Sequence, residues 1–462
     1  MFTLKQEKIM RIIIVGAGKV GYTLAANLVN ESHDVIVIDR RDDVIAKVSD
    51  TLDVLAVRGN GASISTLKQV RVDRADVVIA ATNRDELNMV CCFAAKKLGA
   101  GFTIARVRDH DYAGDIDLFR RELDLDLCIN PEYTTAVEIS RLLRFPDAVD
   151  IDSFYRGRIE MVGFLVKQGD FFAGEPLHAV TKKLKNTSVL FCAVEREGQV
   201  IVPDGNTVLQ PGDKAHVIGK ILDINRFFKQ LGRITPKIRD VVIIGGSRIS
   251  WYLSEVTLDM NIGVKIIESD YKRCVELSEA LPSALIVSGD GTDHELLASE
   301  SLANADAFIA LTGRDEDNLI TSLYAAQLGV PKVITKIDRQ NYYGIAKGLE
   351  SCSVVNPKTI TAYSILRTVR GMQSSQGSRM TALYPIANGG AEALEFEITG
   401  GMKGLNTPLK DLTLRHGILI AAIARENEII IPEGGDHIEA GDHVIVISHS
   451  GNIGDIHDIF AG

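Results

Sequence analysis

Two similar stretches decide the fold: IIIVGAGKVG at residues 12–21 and DVVIIGGSRIS at residues 240–250. Each starts as a short apolar run, which is typical of a buried strand, and passes through glycines into a helical pattern. A strand, a glycine turn and a helix in this order open a dinucleotide-binding βαβ unit. The chain is therefore expected to contain two such units, one in each half.

The similarity between the halves continues along most of the chain at a nearly constant offset. A repeat of this extent indicates an internal duplication rather than a chance match. The corresponding segments include 37–39 and 266–268, 82–88 and 312–318, 130–131 and 356–357, and 202–205 and 431–434.

In the first part of each half, short β-branched runs alternate with helical patterns, which predicts a parallel sheet wound by right-handed crossovers. Predicted strands start near residues 12, 35, 54, 77, 103 and 127, and near residues 241, 264, 284, 307, 333 and 353. An Asn-Pro pair then predicts helices at 131–145 and 357–371, because proline favours a helix start.

The rest of each half alternates β segments with Gly, Pro, Asn and Asp, which predicts a small β-rich module. The predicted fold class is α/β, with two tandem Rossmann-like parallel-sheet domains, each followed by a small β-rich α+β domain. The predicted domains span residues 1–132, 146–231, 238–356 and 375–460. Residues 371–390, which contain Ser, Gly and Gln, are expected to form a flexible linker.

Composition excludes several classes of protein. A chain of 462 residues exceeds the size of a single core, so several domains are expected. The net charge of -10 and the lack of basic runs argue against a nucleic-acid partner. Apolar stretches are far shorter than the roughly 18 residues that a spanning helix needs. Six cysteines without C-x-x-C spacing are expected to be reduced core thiols.

The first glycine turn has the context of a nucleotide site. Gly16 suits a tight turn, a side chain at position 18 would block a pyrophosphate, and Gly21 allows close packing of the helix. Asp39 ends the second strand, where a carboxylate can accept hydrogen bonds from ribose hydroxyls. This favours NAD or another adenine nucleotide over NADP, although Arg40 and Arg41 could face a 2′-phosphate.

Further candidates are polar residues at the carboxyl ends of the fourth and fifth predicted strands. For Arg106 the alternative is a solvated surface arginine, and a lone G-x-G-x-x-G also suits a plain strand-to-helix turn. The first-copy candidates are Gly16, Ala17, Gly18, Lys19, Val20, Gly21, Asp39, Arg40, Thr82, Asn83 and Arg106.

The second copy keeps a glycine and an acid but carries Ser247 and Ser250 in place of two glycines. These serines narrow the path for a pyrophosphate, so the copy is expected to bind a different nucleotide or none. Its candidate residues are Gly245, Gly246, Ser247, Arg248, Ile249, Glu268, Thr312, Gly313 and Lys336.

Other polar patterns have simpler explanations than catalysis. The acids in residues 84–86 and 314–316 stand at predicted helix starts, where they complement the helix dipole. A metal site in the last module is one interpretation of its histidines, and surface histidines are the favoured one because no ligand spacing recurs. These histidines are His416, His437, His443, His449 and His457.

The order of these parts resembles the tandem regulators of potassium conductance, or RCK proteins, of Trk-type potassium-uptake systems. The resemblance covers essentially the whole chain. It depends on the GAGKVG turn, Asp39, the segment 82–88 and a β-module that contains PDG at 203–205 and PGD at 211–213, all repeated in the second half.

The resemblance implies a regulatory subunit that binds NAD or NADH, and in some members ATP or ADP, without chemistry on the nucleotide. It implies an integral-membrane, TrkH-like potassium-translocating partner and a homo-oligomeric ring, a tetramer of tandem chains, at the cytoplasmic face of the membrane. Members begin almost directly with the first strand, so Met10 is a candidate for the native start, with residues 1–9 as an extension, and Met1 remains the alternative.

Two other classes remain open. An NAD-dependent oxidoreductase needs a proton-transfer group beside the hydride, which the sequence does not reveal. A redox-sensing transcriptional regulator needs a basic recognition helix, which the acidic net charge disfavours. Neither class accounts for the duplicated β-module.

Overall fold

The computed structural model describes residues 9–233, 237–339, 342, 344–345, 352–373, 378–449 and 453–461, so most of the expected extension lies outside it. The chain divides into two compact units. The first joins Met1–Val137 to Asn356–Val369, and the second joins Glu138–Val355 to Arg370–Gly462. Within the described residues, no helix has both the length and the apolar character needed to cross a bilayer.

The first unit contains a six-stranded parallel sheet. Its strands are β1 Arg11–Val15, β2 Asp34–Asp39, β3 Leu55–Arg58, β4 Val77–Ala80, β5 Phe102–Arg106 and β6 Leu127–Ile129. The accompanying helices are α1 Lys19–Asn30, α2 Asp42–Thr51, α3 Ile64–Gln69, α4 Asp85–Lys97, α5 His110–Ala113, α6 Ile116–Glu122 and α7 Pro131–Leu142. The strand order is β3-β2-β1-β4-β5-β6, which confirms the predicted doubly wound sheet.

Burial on both faces explains why the strands of this sheet are continuous apolar runs. All four residues of β4 are buried, as are Ile12 to Val15 of β1. Helices cover both faces of a parallel sheet, so neither face selects polar residues.

The first small sheet lies in the second unit and is antiparallel. Its strands are β7 Asp150–Phe154, β8 Ile159–Leu165, β9 Val189–Arg196, β10 Gln199–Ile201 and β11 Lys214–Lys220, with helices α8 Leu177–Lys183 and α9 Ile221–Gln230. The order is β10-β9-β11-β8-β7. Phe164 of β8 packs against Phe227 of α9 with ring centroids 5.4 Å apart, so α9 covers one face of the sheet.

The second parallel sheet repeats the first. Its strands are β12 Asp240–Ile244, β13 Gly263–Glu268, β14 Leu285–Ser288, β15 Ala307–Ala310, β16 Lys332–Lys336 and β17 Cys352–Val355. Its helices are α10 Arg248–Asp259, α11 Tyr271–Ala280, α12 His294–Ser299 and α13 Asp315–Gln327, followed by α14 Pro357–Gln373. The strand order is β14-β13-β12-β15-β16-β17.

The second small sheet completes the repeat. Its strands are β18 Ser378–Ile386, β19 Ala391–Ile398, β20 Ile418–Arg425, β21 Glu428–Ile430 and β22 His443–Ser448, in the order β18-β19-β22-β20-β21. Short 3-10 helices occur at Val72–Arg74, Tyr155–Gly157, Leu302–Asn304, Ala387–Gly389, Leu409–Asp411 and Ile456–Ile459.

The two small sheets pack face to face and share one hydrophobic core. Met161 of the first sheet and Ala393 of the second belong to the same buried cluster. Hydrogen bonds join the sheets as well, because Tyr384 donates to the carbonyl of Ser153 at 2.9 Å and Tyr155 donates to the carbonyl of Glu426 at 2.7 Å.

The expected flexible linker at 371–390 is wrong for most of its length. Gly371 is helical, and Ser378–Ile386 forms β18, which pairs with β19 in the core of the second small domain. The polar and glycine residues that suggested a linker are concentrated at 374–377, which lie outside the described residues, and their composition hid the strand that follows.

Lys332, the first residue of β16, is buried, and no acidic side chain of the described residues pairs with it. Its ammonium group donates to the carbonyls of Ala148 at 2.5 Å and Pro146 at 3.2 Å, and to the hydroxyl of Ser353 at 2.9 Å. These bonds tie the second parallel sheet to the segment that leads into the first small sheet. Desolvation lowers the pKa of Lys332 to about 8.

Candidate nucleotide-binding site

The strand order creates a crevice at the carboxyl edge of the first sheet. β1 pairs with β2 on one side and with β4 on the other, so the connections from β1 and β4 diverge at this point. Ligands of doubly wound sheets bind where the strand order reverses. All first-copy candidates lie along this edge, in the turns after β1, β2 and β4 or at the ends of β2 and β5.

The three glycines of the first turn have different requirements. Gly16 has φ +95°, and a Cβ there would lie 2.9 Å from the backbone nitrogen of Thr82. A Cβ on Gly21 would lie 1.8 Å from the carbonyl oxygen of Gly16. A Cβ on Gly18 would meet nothing within 4 Å. The fold itself therefore demands Gly16 and Gly21, whereas Gly18 leaves open space at the start of α1.

Helix α1 begins without a side-chain cap. Its N-cap is Gly18, and Lys19 and Val20 are its first residues. The first N–H groups of a helix have no partner within the helix and carry a partial positive charge. The start of α1 is thus suited to an anionic group such as a phosphate.

Asp39 fixes the glycine turn from the end of β2. One carboxylate oxygen accepts from the backbone nitrogen of Ala17 at 2.8 Å, and the other accepts from that of Arg41 at 3.0 Å. A carboxylate has about four acceptor positions, so these two bonds leave capacity for the hydroxyls of a ribose.

Two of the cations near Asp39 form ion pairs with other acids. Arg41 forms an ion pair with Asp43, and Arg58 lies 3.1 Å from Asp42. Arg40 is exposed on the loop that follows β2. Because Arg41 and Arg58 are each paired with an aspartate, the positive potential that a 2′-phosphate would require is reduced.

Asn88 joins the two strands on the far side of the crevice, a role that the sequence analysis missed. Its buried side chain accepts from the Thr82 backbone nitrogen at 2.8 Å and from the Thr82 hydroxyl at 2.7 Å, and donates to the Arg106 carbonyl at 2.8 Å. In the second copy, Asn318 makes the same bonds to Thr312 and Lys336. Its recurrence in both copies was the available signal.

Asp85 shows that the helix-dipole explanation of the acids is incomplete. Asp85 starts α4, but its side chain is buried and accepts from the backbone nitrogens of Arg108 at 2.7 Å and Asp109 at 2.8 Å. The Arg108 guanidinium also contacts Asp85 and donates to the carbonyl of Asn83. Asp85 therefore holds the loop after β5, while Asn83 itself is exposed at the crevice edge.

Arg106 ends β5, and its side chain is only 14% exposed, which excludes the solvated-surface alternative. Its guanidinium lies 3.1 Å from the carboxylate of Glu132 in the first turn of α7. The corresponding Lys336 ends β16 and is also buried. Arg106 is therefore a cation held at the crevice by an acid that an anionic ligand could replace.

The second crevice has the same framework but a different helix start. The carboxylate of Glu268 accepts from the Gly246 backbone nitrogen at 2.5 Å, as Asp39 does from Ala17 in the first copy. Ser247 caps α10, because its hydroxyl oxygen accepts from the Ser250 backbone nitrogen at 3.2 Å.

Ser250 and Arg273 donate hydrogen bonds to backbone carbonyls of this second turn. Ser250, which stands at the position of Gly21 in the first copy, donates its hydroxyl to the Gly245 carbonyl at 2.5 Å. The guanidinium of Arg273 donates to the Gly246 carbonyl at 2.8 Å. Side chains of α10, its N-cap and α11 therefore occupy the second turn, whereas the start of α1 has open space at Gly18.

The remaining second-copy candidates stand at the matching positions. Arg248 and Ile249 begin α10, with Ile249 buried, and Thr312 and Gly313 follow β15. The structure thus brings each set of candidates to the carboxyl edge of its own sheet.

Three of the five histidines of the last module contact acidic side chains. His443 lies 2.7 Å from Glu395, His437 2.9 Å from Glu439 and His457 2.6 Å from Asp455. Among the described residues, the ligand atoms of Asp109, His110 and Asp111 are close enough together to share an ion. This largely exposed cluster follows β5 and lies outside the last module. The metal interpretation of the last module gains no support from these contacts.

Comparison with known proteins decides the family. The TrkA-N domain matches residues 12–131 and again 241–357, and the TrkA-C domain matches residues 161–232 and 394–461. The chain belongs to the TrkA family. TrkA proteins are regulatory subunits of potassium transport rather than enzymes, as the sequence resemblance implied.

Similar TrkA-family proteins match over nearly their full length. The Trk system potassium uptake protein TrkA homolog of Archaeoglobus fulgidus is 34% identical over 98% of this chain and 100% of its own. TrkA of Halomonas elongata is 33% identical over 95% of each chain.

A solved structure supports the fold. The GsuK channel bound to NAD matches with a TM-score of 0.63 at 18% identity, over 96% of this chain and 78% of that one. Two TrkA-N and two TrkA-C domains in alternation thus account for the four sheets of this chain.

Proposed function

We propose that this chain is the nucleotide-binding regulatory subunit of a Trk-type potassium-uptake system and that its first crevice holds NAD or NADH, with ATP and ADP as further candidates. The observation that carries the proposal is the uncapped start of α1, open at Gly18, beside the carboxylate of Asp39. The likeness to the NAD-bound GsuK channel is consistent with this ligand class.

In the proposed complex, the pyrophosphate lies at the N-terminus of α1, where N–H groups and the helix dipole favour negative charge. Asp39 accepts from the adenosine ribose, and its charge disfavours a 2′-phosphate. Thr82, Asn83 and Arg106 line the other wall, with Arg106 supplying a positive charge. This arrangement favours NAD(H) over NADP(H).

The second crevice is proposed to hold a smaller nucleotide or none. Ser247 already accepts a hydrogen bond at the start of α10, so a pyrophosphate would have to displace it. We therefore expect one dinucleotide bound per chain. If two dinucleotides bound per chain, Gly245, Glu268 and Lys336 would belong to a second dinucleotide site equivalent to the first.

The proposed partner is an integral-membrane, TrkH-like subunit that conducts potassium, with this chain in a cytoplasmic ring of identical tandem chains at the membrane. The names of the similar proteins support the uptake system. A nucleotide regulates such an assembly only as far as it binds one conformation of the ring more tightly than another. We propose that nucleotide binding changes the angle between domains.

Titration calorimetry of the full-length protein with NADH, NAD, NADPH, ATP and ADP tests the proposal. We expect NADH or NAD to bind without being consumed and binding to be lost in Asp39→Ala. Glu268→Ala is the matched control, because the same change in the second copy should leave first-site binding intact. Unchanged binding by Asp39→Ala would refute the site, and consumption of NADH with a substrate would support the oxidoreductase alternative.

A further inference from the structure

The two repeats place an arginine and a glutamate at matching positions, but the pairs have different geometry. Arg144 and Arg370 stand equally far beyond the Asn-Pro pairs, and Glu160 and Glu392 are each the second residue of β8 and β19. In the second repeat, Arg370 donates two hydrogen bonds to Glu392, at 2.8 and 3.0 Å, and both side chains are buried.

The pair in the first repeat is open only in the sense that its charged groups are at ion-pair distance but form no hydrogen bond. The nearest guanidinium nitrogen of Arg144 lies 3.6 Å from Glu160, and the Arg144 side chain is 46% exposed. The Glu160 side chain is only 1% exposed, and neither carboxylate oxygen has a hydrogen-bond partner among the described residues. Desolvation raises the pKa of Glu160, although the positive charges of Arg144 and Arg141 lower it in part.

A buried carboxylate without hydrogen bonds is costly, so this geometry favours a second arrangement that satisfies it. The second repeat shows that arrangement in the same chain, with the arginine turned inward onto the glutamate. In the first repeat, Arg144 instead lines a surface cleft together with Phe145, Asn225 and Lys229. A movement of less than about 1 Å would bring Arg144 within hydrogen-bond distance of Glu160.

Helix α7 connects residues of the two contacts along the chain. At its start, Glu132 holds Arg106, a residue of the crevice. The helix has 12 residues, about 18 Å at 1.5 Å per residue, and Arg144 follows its last turn. The second repeat has Lys358 at the position of Glu132, so it combines a closed arginine–glutamate pair with no acid at the helix start.

We propose that α7 couples the first crevice to the first small sheet, with Arg106–Glu132 as the contact that senses a nucleotide and Arg144–Glu160 as a latch that closes in response. This inference rests on the proposed function, because it requires a nucleotide in the first crevice. A phosphate that attracts Arg106 competes with Glu132, and the released helix start allows the far end of α7 to move until Arg144 pairs with Glu160.

The first test compares thermal unfolding of Glu160→Gln and Glu392→Gln without nucleotide. We expect Glu392→Gln to lower the unfolding midpoint by several degrees, because Arg370 stays buried without its carboxylate. Glu160→Gln should not lower the midpoint, because it removes a buried charge that has no hydrogen bond. An equal loss in both variants would mean that the first latch is already closed and would overturn the inference.

The second test measures NADH affinity by calorimetry for the wild type, Glu160→Gln and Arg144→Met, with Glu392→Gln as the control. If closure is coupled to binding, removing either latch residue should weaken NADH binding about fivefold or more, and the control should not. NADH binding that is the same in all four proteins would overturn the coupling but leave the proposed function intact. Failure of the wild type to bind any tested nucleotide would overturn both.

Discussion

The clearest difference between the two crevices is the N-cap residue of the helix after the glycine turn, which is Gly18 in α1 and Ser247 in α10. We predict that a serine at position 18 gives the first crevice the lower affinity for a dinucleotide that we propose for the second. Gly18→Ser gives α1 the hydroxyl that Ser247 supplies to α10. A Cβ at position 18 meets nothing within 4 Å, so the fold should accept it. A serine cap should stabilise the helix by only about a few tenths of a kcal/mol relative to glycine.

The effect on binding should be much larger than the effect on stability. The new hydroxyl would compete with a phosphate for the N–H groups at the start of α1. Hydrogen bonds to charged groups contribute about 1.5–3 kcal/mol, so the loss of one corresponds to roughly a 10- to 100-fold weaker affinity.

Calorimetric titration with NADH, together with a thermal unfolding curve, separates these effects. Ser247→Gly is the matched control, because it should slightly destabilise the chain and leave first-site affinity unchanged. If Gly18→Ser binds NADH as tightly as the wild type, the phosphate does not lie at the start of α1.

Three further variants test other parts of the structure. Gly21→Ala should destabilise the chain by about 1–3 kcal/mol in urea unfolding, since its Cβ would lie 1.8 Å from the carbonyl of Gly16; an unchanged urea midpoint would contradict this. Asn88→Ala should cost about 3 kcal/mol, because it leaves the backbone groups of Thr82 and Arg106 without their partner. A loss below about 0.5 kcal/mol would show that the amide does not join the strands. Because the pKa of Lys332 falls from 10.5 to about 8 on folding, the unfolded chain binds the extra proton between these pH values. The free energy of unfolding of the wild type should therefore rise as the pH rises through this interval, and this rise should be absent in Lys332→Met.

The framework of both parallel sheets could be predicted because it depends on local patterns. Each predicted strand starts within one residue of the observed start, since buried β-branched runs and glycine turns mark the strands directly. The position of Asp39 at the crevice followed from the same pattern, because the carboxyl end of β2 must lie beside the turn after β1.

Residues that act across strands could not be predicted from spacing. Asn88 and Asp85 bond to groups 18 to 24 residues away, and only the three-dimensional sheet brings these groups together. A polar residue at a helix start has a sufficient local explanation, which conceals a longer-range role. The difference between Arg144 and its counterpart Arg370 was equally hidden, because both repeats have the same residue types there.

The shared core of the two small sheets limits how the chain can be divided. Met161 and Ala393 are buried against one cluster formed by both sheets, so a polypeptide that contained only one repeat would expose that apolar face to water. Such a half-length protein should remain soluble only by pairing with a second copy of itself through the same face. The duplication within one chain therefore supplies the partner face that a single repeat would have to find in a second copy of itself.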